Sequence, residues 1–303
     1  MLKKTSLLRI LKNPILMQGD ACTAYRDPAA VYHNGIFYLY FTLVKTDPAG
    51  NVFSYTAMSK SDDFQNFSEP IILTPKDKNL NFSSPGNIIR YRNYWIMCLQ
   101  TYPRPNGEKF GNSSARIWVM SSQDLENWSE PELLRVKGDN VKVEDMGRMI
   151  DPYIIENWCK PGEFWCFYKQ NGVSMSYSYD LKHWSYYGFT KAGENVCVIE
   201  KDKRYYMFHS PRNGIGIMVS DDLMNWTESG KNIVLGQADW PWAQGRITAG
   251  FVIDCRHVAG VGKYLMFFHG TGPENGNASF DTHSCIGIAW SVNLFDWEFP
   301  IAD

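Results

Sequence analysis

The 303-residue sequence lacks the features that mark several large classes of protein. No apolar run approaches the roughly 18 residues that a membrane-spanning helix needs, so we expect a soluble protein. With 30 basic and 32 acidic residues the formal net charge is −2, and the basic excess that attracts nucleic acid or an anionic membrane is missing. This balance predicts a neutral partner, with no nucleic acid and no membrane among the ligands.

The spacing of the cysteines excludes a cysteine-rich metal site. The seven cysteines are widely spread and form no CxxC pair, which predicts buried free thiols in a reducing compartment. Near the N-terminus, Arg9 and Lys12 interrupt the apolar stretch before it reaches the length of a signal-peptide core. We therefore expect a cytoplasmic protein, with a periplasmic or secreted location as the alternative if a signal peptide has been removed.

Aromatic side chains are abundant and follow a repeat. The chain has 11 Trp, 17 Tyr and 17 Phe, which excludes a disordered chain. A recurring phrase contains a serine, an Asp (Asn in the last copy), a Leu or Phe and a final aromatic residue. Successive copies lie 42 to 71 residues apart, a spacing typical of four-stranded propeller blades. The five copies are Ser61–Phe67, Ser122–Trp128, Ser178–Trp184, Ser220–Trp226 and Ser291–Trp297.

The segment before each phrase predicts a β-hairpin. In the first unit, Val31–Phe41 contains two aromatic-rich strands joined at Asn34-Gly35. The sequence therefore predicts an all-β, five-bladed β-propeller with four antiparallel strands per blade, forming a single domain over 1–303. The Asp of each phrase should close a turn, and its aromatic residue should pack between neighbouring sheets. The predicted blades are roughly 20–75, 80–138, 145–190, 192–236 and 245–303.

Polar residues at the start of each blade are the candidates for chemistry, because the first strand of every blade lines the central axis of a propeller. At this recurring position the sequence places Asp27, Ser84, Asp151, Glu194 and Thr248. Three of these residues are acids, which predicts an acidic funnel on an otherwise balanced surface. One protonated and one ionised carboxyl group are what cleavage of a glycosidic bond requires.

At these positions the sequence resembles family 43 of the glycoside hydrolases and related five-bladed propeller glycosidases, over about residues 20–297. Arg26-Asp27-Pro28, followed by Gly35–Thr42, resembles the first-blade motif of that family, and Ile150-Asp151-Pro152 resembles its third-blade motif. Glu194 resembles the acid of its fourth blade. The resemblance implies that Asp27 is the general base, that Asp151 orients the acid and modulates its pKa, and that Glu194 is the general acid.

The fifth blade departs from the family pattern. Where the family often has Gly-His-Gly, this chain reads Gly245-Arg246-Ile247-Thr248, with no histidine for a central calcium ion. We therefore expect no metal and no cofactor, although a structural calcium ion is conceivable, and we expect Arg246 or Thr248 to face the pocket.

Further substrate contacts are expected from residues near the blade starts and from tryptophans suited to stacking on sugar rings. For any of these tryptophans, packing in the core is the alternative; for His209 and His269, at the ends of second strands, it is a buried hydrogen bond, and for Arg148 a surface ion pair. The candidates are Arg26, Ser84, Trp95, Arg148, His209, Trp240, Trp242, Arg246 and His269.

The resemblance implies an inverting hydrolase that removes terminal arabinose or xylose from plant-type oligosaccharides. Two alternatives remain open: a propeller glycosidase of another kind, such as a retaining, fructosidase-like or anhydrogalactosidase-like enzyme, and a non-catalytic carbohydrate-binding propeller. Catalytic carboxyl groups about 5–5.5 Å apart would indicate a retaining enzyme, and groups about 6.5–9.5 Å apart an inverting one. The sequence does not predict an oligomeric state.

Overall fold

The structure is a computed structural model that describes residues 6–236, 239, 242, 243, 245–272 and 281–300. Within these ranges the chain begins with a four-residue helix, α1 (Leu7–Ile10), and a short strand, β1 (Ile15–Met17), and contains a 3₁₀ turn at Glu144–Met146. The remaining elements are β-strands. None of the helices in the described part has the length and apolar character needed to cross a bilayer.

The strands of the described ranges form five antiparallel sheets of four strands each. The first sheet comprises β2 (Thr23–His33), β3 (Ile36–Thr46), β4 (Val52–Ser61) and β5 (Ile71–Ile72). The second comprises β6 (Phe82–Tyr91), β7 (Tyr94–Thr101), β8 (Ile117–Ser122) and β9 (Glu132–Leu133). The third comprises β10 (Ile150–Glu156), β11 (Phe164–Lys169), β12 (Val173–Ser178) and β13 (Trp184–Thr190). The fourth comprises β14 (Glu194–Lys201), β15 (Arg204–Ser210), β16 (Gly216–Ser220) and β17 (Thr227–Glu228). The fifth comprises β18 (Arg246–Asp254), β19 (Tyr264–Thr271), β20 (Cys285–Ser291) and β1.

The five sheets are arranged in a ring around their first strands. Each of β2, β6, β10 and β14 contacts the next of these strands, and β18 contacts β2 to close the ring. The approach is close: a Cβ atom added to Gly86 on β6 would lie 1.6 Å from the carbonyl oxygen of Pro152 on β10. The fold is therefore a five-bladed β-propeller, and the predicted fold class is confirmed.

The fifth blade takes its outer strand from the other end of the chain. Strand β1 pairs with β20, opposite Ile286 and Gly287, and the side chain of Met17 is buried there. The predicted fifth unit, 245–303, did not include this strand. The reason is that local sequence patterns report hairpins between neighbours, whereas this pairing joins segments about 270 residues apart.

The recurring phrase forms the same hydrogen-bonded turn in every blade. In the first copy, Ser61 Oγ accepts the N–H groups of Asp63 and Phe64, and Asp63 Oδ1 accepts those of Gln65 and Asn66. The residue after the Asp or Asn has a left-handed backbone in all five copies, with φ between 63° and 77°. The predicted role of the Asp in closing a turn is confirmed.

The aromatic residue of the phrase packs between blades, as predicted. The rings of Trp128, Trp226 and Trp297 each contact an aromatic ring on the second strand of the preceding blade. The centroid distances are 5.6 Å for Trp128–Tyr40, 5.7 Å for Trp226–Phe167 and 5.9 Å for Trp297–Phe208. These edge-to-face contacts bury large apolar rings, so much of the aromatic content stabilises the contacts between sheets.

The cysteines only partly follow the prediction. All seven are free, and five of them are buried. Cys22 and Cys159 are exposed, so the expectation of burial is wrong for these two residues. Both lie in turns that connect strands, where neither sheet face covers the side chain.

Candidate functional site

A cavity of about 190 Å³ lies at the end of the ring where the five innermost strands begin. Three acids and four arginines contribute to its wall, and every blade supplies at least one lining residue. The acids are Asp27, Asp151 and Glu194, and the arginines are Arg26, Arg104, Arg148 and Arg246. The structure thus brings together the three acids that the sequence placed at blade starts.

A β-bulge positions the site in each innermost strand. The register of the inner hairpin shifts in all five blades, and one residue at each shift has a left-handed backbone. A bulge of this kind inserts an extra residue and redirects its side chain. The left-handed residues are Asp27 (φ 46°), Ser84 (φ 45°), Asp151 (φ 52°), Asn195 (φ 52°) and Ala249 (φ 55°).

The bulges correct the predicted alignment of the blades. Asp27, Ser84 and Asp151 are equivalent, but Glu194 and Thr248 each lie one residue before the bulge of their own strand. Thr248 is fully buried, and the cavity receives Arg246 instead. Glu194 precedes the left-handed residue of its strand, as Arg26 does in the first blade, and it reaches the cavity from that position. Side chains alternate between the two faces of a strand, and a bulge changes which of them point inward.

Asp27 is held by neighbours on two blades. Thr42 Oγ1 donates a hydrogen bond to Asp27 Oδ2 at 2.8 Å, and the Arg26 guanidinium lies 3.8 Å from Asp27 Oδ1. The backbone N–H of Asp27 donates to His269 Nδ1 at 3.0 Å. Burial lowers the pKa of His269 well below its usual value, with the charges of Arg26 and Arg246 acting in the same direction, so His269 is neutral.

Asp151 is a buried acid of the cavity with a raised pKa. Burial, and then the negative charges of Glu194 and Asp27, raise the pKa of Asp151 to about 7. Ser84 Oγ donates to Asp151 Oδ1 at 3.0 Å and opposes this rise, as does the charge of Arg148. At neutral pH, therefore, Asp151 is protonated in a large share of the molecules.

A short hydrogen-bonded path joins two of the acids. The N–H of Ser84 donates to Thr42 Oγ1 at 2.7 Å, while the Thr42 hydroxyl donates to Asp27 and the Ser84 hydroxyl donates to Asp151. Ser84, predicted as a substrate contact, is fully engaged here and is 3% exposed. The path fixes the carboxyl groups of blades one and three through residues of blades one and two.

Glu194 is the most accessible of the three acids. Its side chain is 35% exposed and lies 3.4 Å from Arg246 Nη2. The preceding residue, Gly193, donates its N–H to His209 Nδ1 at 2.9 Å, and a Cβ atom there would lie 2.0 Å from the carbonyl oxygen of Ser210. Only glycine fits at this contact, and it brings the start of β14 against β15.

The prediction of an acidic funnel is wrong. The cavity wall contains four arginines beside three acids. The sequence argument named Arg26, Arg148 and Arg246 as substrate contacts but did not count their charge against the acids, and it missed Arg104. Arg104 lies beyond the end of β7, outside the innermost strands, and reaches the cavity only because the chain folds back.

Among the described residues, the aromatic side chains at the cavity are Tyr102 and Phe110, which the sequence argument did not single out. Trp95 lies at the far end of β7, with its ring 5.2 Å from His33 and 5.0 Å from Arg90. Trp242 is stacked on Phe268 at 5.9 Å and contacts the β19–β20 backbone. Both tryptophans pack against protein, the alternative that the sequence left open, and Trp240 is outside the described residues.

The two predicted histidine contacts lie beneath the site and bind backbone. His269 accepts the N–H of Asp27, and His209 accepts that of Gly193. Burial lowers the pKa of His209 to about 4. The structure therefore places both histidines as supports for acids of the cavity, which corresponds to the buried, hydrogen-bonded alternative.

Of the side chains that stabilise the bulges, the sequence argument singled out His269 but missed Thr42, Gln100 and Ser210 in this role. In four of the five blades, the N–H of the left-handed residue donates to a side chain at the end of the preceding blade's second strand. A polar residue ending an otherwise apolar second strand is the signal that could have revealed them. The pairs are Ser84–Thr42, Asp151–Gln100, Ala249–Ser210 and Asp27–His269.

Within the described ranges, His, Cys, Asp and Glu side chains do not gather in groups of three or more that could hold a metal ion. The three acids of the cavity are interleaved with arginines, an arrangement that disfavours a divalent cation. The expectation that no metal or cofactor is needed stays a prediction.

No family model and no curated protein matches this sequence. Solved structures do match its fold. A thermostable family-43 glycoside hydrolase has a TM-score of 0.64 and 15% identity, over 96% of this chain and 97% of that one. The α-L-arabinofuranosidase of Podospora anserina, solved with cellotriose, has a TM-score of 0.65 and 12% identity, over 91% of this chain and 94% of that one.

A family 117 glycoside hydrolase from the marine bacterium Zobellia galactanivorans also has this fold. Its TM-score is 0.63 at 15% identity, over 89% of this chain and 85% of that one. The chain is therefore similar in fold, over nearly its whole described length, to five-bladed propellers that are glycoside hydrolases. At these identities the similarity concerns architecture, and function has to be argued from the site.

Proposed function

We propose that the protein is a glycoside hydrolase whose active site is the central cavity. The observation that carries this proposal is the convergence of Asp27, Asp151 and Glu194 from three separate blades on one cavity. Their surroundings differ: Asp151 has a raised pKa, whereas Asp27 and Glu194 each have an arginine close by. Carboxyl groups in contrasting environments are what acid and base catalysis at one glycosidic bond requires.

Asp27 is the proposed general base. Its carboxylate accepts a hydrogen bond from Thr42 and lies beside the Arg26 guanidinium. An ionised carboxylate can take a proton from the attacking water as the water bonds to the anomeric carbon. That assignment gives a single displacement with inversion of configuration.

Glu194 is the proposed general acid, and Asp151 is the proposed modulator of its pKa. The two carboxyl groups repel each other when both are ionised, so the pair takes up a proton at higher pH than an isolated acid would. Burial favours the protonated form of Asp151 in the resting protein. Transfer to Glu194, the more accessible acid, would place it where a leaving-group oxygen can receive it.

The proposed substrate is an oligosaccharide with a terminal arabinose or xylose. Support comes from the motifs around Asp27, Asp151 and Glu194 and from the fold shared with glycoside hydrolases, one of them an arabinofuranosidase. The small cavity favours removal of one terminal sugar over cleavage within a long chain, since 190 Å³ is below the usual size of a drug-sized ligand site.

A screen of p-nitrophenyl glycosides and of short arabino- and xylo-oligosaccharides tests this proposal, with the first product followed by NMR. We expect release of the terminal sugar as the inverted anomer. A product with retained configuration would contradict the single displacement. Binding of these sugars without any hydrolysis would instead support the non-catalytic carbohydrate-binding alternative.

A further inference from the structure

Three of the four arginines at the cavity have a carboxylate partner in the protein. In each pair a guanidinium nitrogen lies within 4 Å of a carboxylate oxygen, so each of these cations is balanced by an anion. The pairs are Arg26–Asp27 at 3.8 Å, Arg246–Glu194 at 3.4 Å and Arg104–Asp281 at 2.8 Å.

Arg148 differs from the other three. Its Nε donates to the carbonyl oxygen of Gly111 at 3.2 Å, and its guanidinium lies 5.6 Å from the centre of the Tyr102 ring. These contacts hold the half-buried side chain at the cavity wall. Among the residues that the structure describes, no carboxylate lies within ion-pair distance of Arg148, and its Nη1 and Nη2 make no hydrogen bond.

Asp151, the cavity acid nearest to Arg148 in sequence, does not fully balance the charge of Arg148. Asp151 follows Arg148 by three residues, but burial and the charges of Glu194 and Asp27 raise its pKa to about 7, so it carries only part of a negative charge near neutral pH. Apart from the three ion pairs, the described wall therefore carries the full charge of Arg148 and only part of a charge on Asp151. A partly buried cation without a partner is unfavourable, and a bound anion removes this cost.

We propose that the substrate is an acidic oligosaccharide and that Arg148 binds its carboxylate. With Nε engaged by Gly111, the two terminal nitrogens of Arg148 remain as a planar pair of donors, which matches the two oxygens of a carboxylate. The inference rests on the proposed glycoside hydrolase function and replaces the expected neutral substrate. The acidic sugar is the neighbour of the terminal arabinose or xylose that the proposed function releases.

Matched substrates test the proposal directly. Oligosaccharides from pectin and from glucuronoxylan are compared with the same oligosaccharides after reduction of their carboxyl groups to hydroxymethyl groups. We expect kcat/KM to be at least about tenfold higher for the acidic form, and the ratio to fall between 50 and 500 mM NaCl because salt screens ion pairing. Sulfated galactan oligosaccharides form a third arm, and a preference for these alone would overturn the carboxylate assignment.

Variants of Arg148 separate its charge from its shape. Arg148→Gln should abolish the preference for the acidic form, and Arg148→Lys should keep part of it through a single hydrogen bond. Arg212→Gln, which changes an exposed arginine away from the cavity, should keep the whole preference. An unchanged preference in a folded Arg148→Gln protein, judged by its melting temperature, would overturn the proposal.

Calorimetric binding of the same oligosaccharides distinguishes failure of this inference from failure of the proposed function. Equal hydrolysis of the acidic and reduced forms would overturn the anion site but would still support the hydrolase function. Binding that prefers the acidic form and depends on Arg148, without hydrolysis, would support the anion site and contradict the hydrolase. If the protein neither binds nor hydrolyses any of these substrates, both the anion site and the hydrolase function are overturned.

Discussion

The burial of Asp151 makes the stability of the folded protein depend on pH. Burial and two neighbouring carboxylates raise its pKa to about 7, whereas an unfolded chain would have the ordinary value of 3.8. Between these two pH values the folded protein binds more protons than the unfolded one. The contribution of Asp151 to stability therefore falls as pH rises from about 4 to about 7, and is constant above that.

We predict that Asp151→Asn removes this pH dependence. The amide is uncharged at every pH, so the variant should gain in melting temperature relative to the wild type as pH rises from 4 to 7, with a constant difference at pH 8. Thermal unfolding of both proteins from pH 4 to pH 8 measures this difference in melting temperature. A difference that does not grow with pH would show that Asp151 ionises as easily in the folded protein as in the unfolded chain.

The comparison needs the variant because the two buried histidines act in the opposite direction. Burial lowers the pKa values of His209 and His269, so their contribution to stability is lost as pH falls below about 6.5. The wild-type curve alone is the sum of opposing slopes. Subtracting the two curves isolates Asp151.

Glu194→Gln should lower kcat by about 10²- to 10⁴-fold, because a glutamine has no proton to donate to the leaving group. The melting temperature should change by less than about 2 °C, since the ion pair with Arg246 is partly exposed. Glu200→Gln is the matched control, because Glu200 is exposed on the same strand. Full hydrolysis by the Glu194→Gln protein would rule out Glu194 as the acid.

At the scale of elements, the turn of the recurring phrase is the most uniform unit of the molecule. Asp63 Oδ1 accepts two backbone N–H groups, and its Oδ2 accepts the side-chain amide of Asn66. Asp62, its neighbour, is exposed. The two aspartates are adjacent in sequence, but Asp63 is the one that accepts the hydrogen bonds of the turn.

Asp63→Ala should therefore destabilise the protein by about 1–2 kcal/mol, because two N–H groups of the turn lose their acceptor. Asp62→Ala should change stability by no more than about 0.5 kcal/mol. Urea unfolding of the two variants measures both values. Equal effects would mean that the turn does not depend on its side-chain acceptor.

The innermost and second strands also explain why the site was only partly predictable. Alternating apolar residues and the Asn34-Gly35 turn identify the first hairpin from local sequence. The bulge within that hairpin depends on His269, which lies 242 residues further along the chain. A pattern read within one blade could therefore locate Asp27 and Asp151 but could not tell that Glu194 lies one position before its bulge.

At the scale of the whole molecule, β1 completes the fifth blade and so closes the ring of blades by joining the first and last parts of the described chain. Met17 is buried on this strand, and Gln18 beside it is exposed. Without the strand, β20 would present an unpaired edge, which is a site for aggregation. The closing strand therefore contributes to both stability and solubility.

Met17→Asp should lower the free energy of unfolding by about 2–5 kcal/mol, since it removes a buried apolar side chain and buries a charge. Gln18→Asp should have little effect, because the residue is in water. Thermal unfolding with light scattering measures the loss of stability and any aggregation. Equal melting temperatures for the two variants would contradict a role for β1 in closing the ring.

The sequence by itself determined the number of blades, the hairpins and the turns, because these depend on residues close together in the chain. The five phrases and the aromatic second strands suffice to predict a five-bladed propeller. Only the tertiary structure decided which strand completes the fifth blade, which residue of each bulge faces inward, and that Arg104 joins the acids at the cavity. These features depend on contacts between distant segments, and their electrostatics depends on burial, which has no local signature in the sequence.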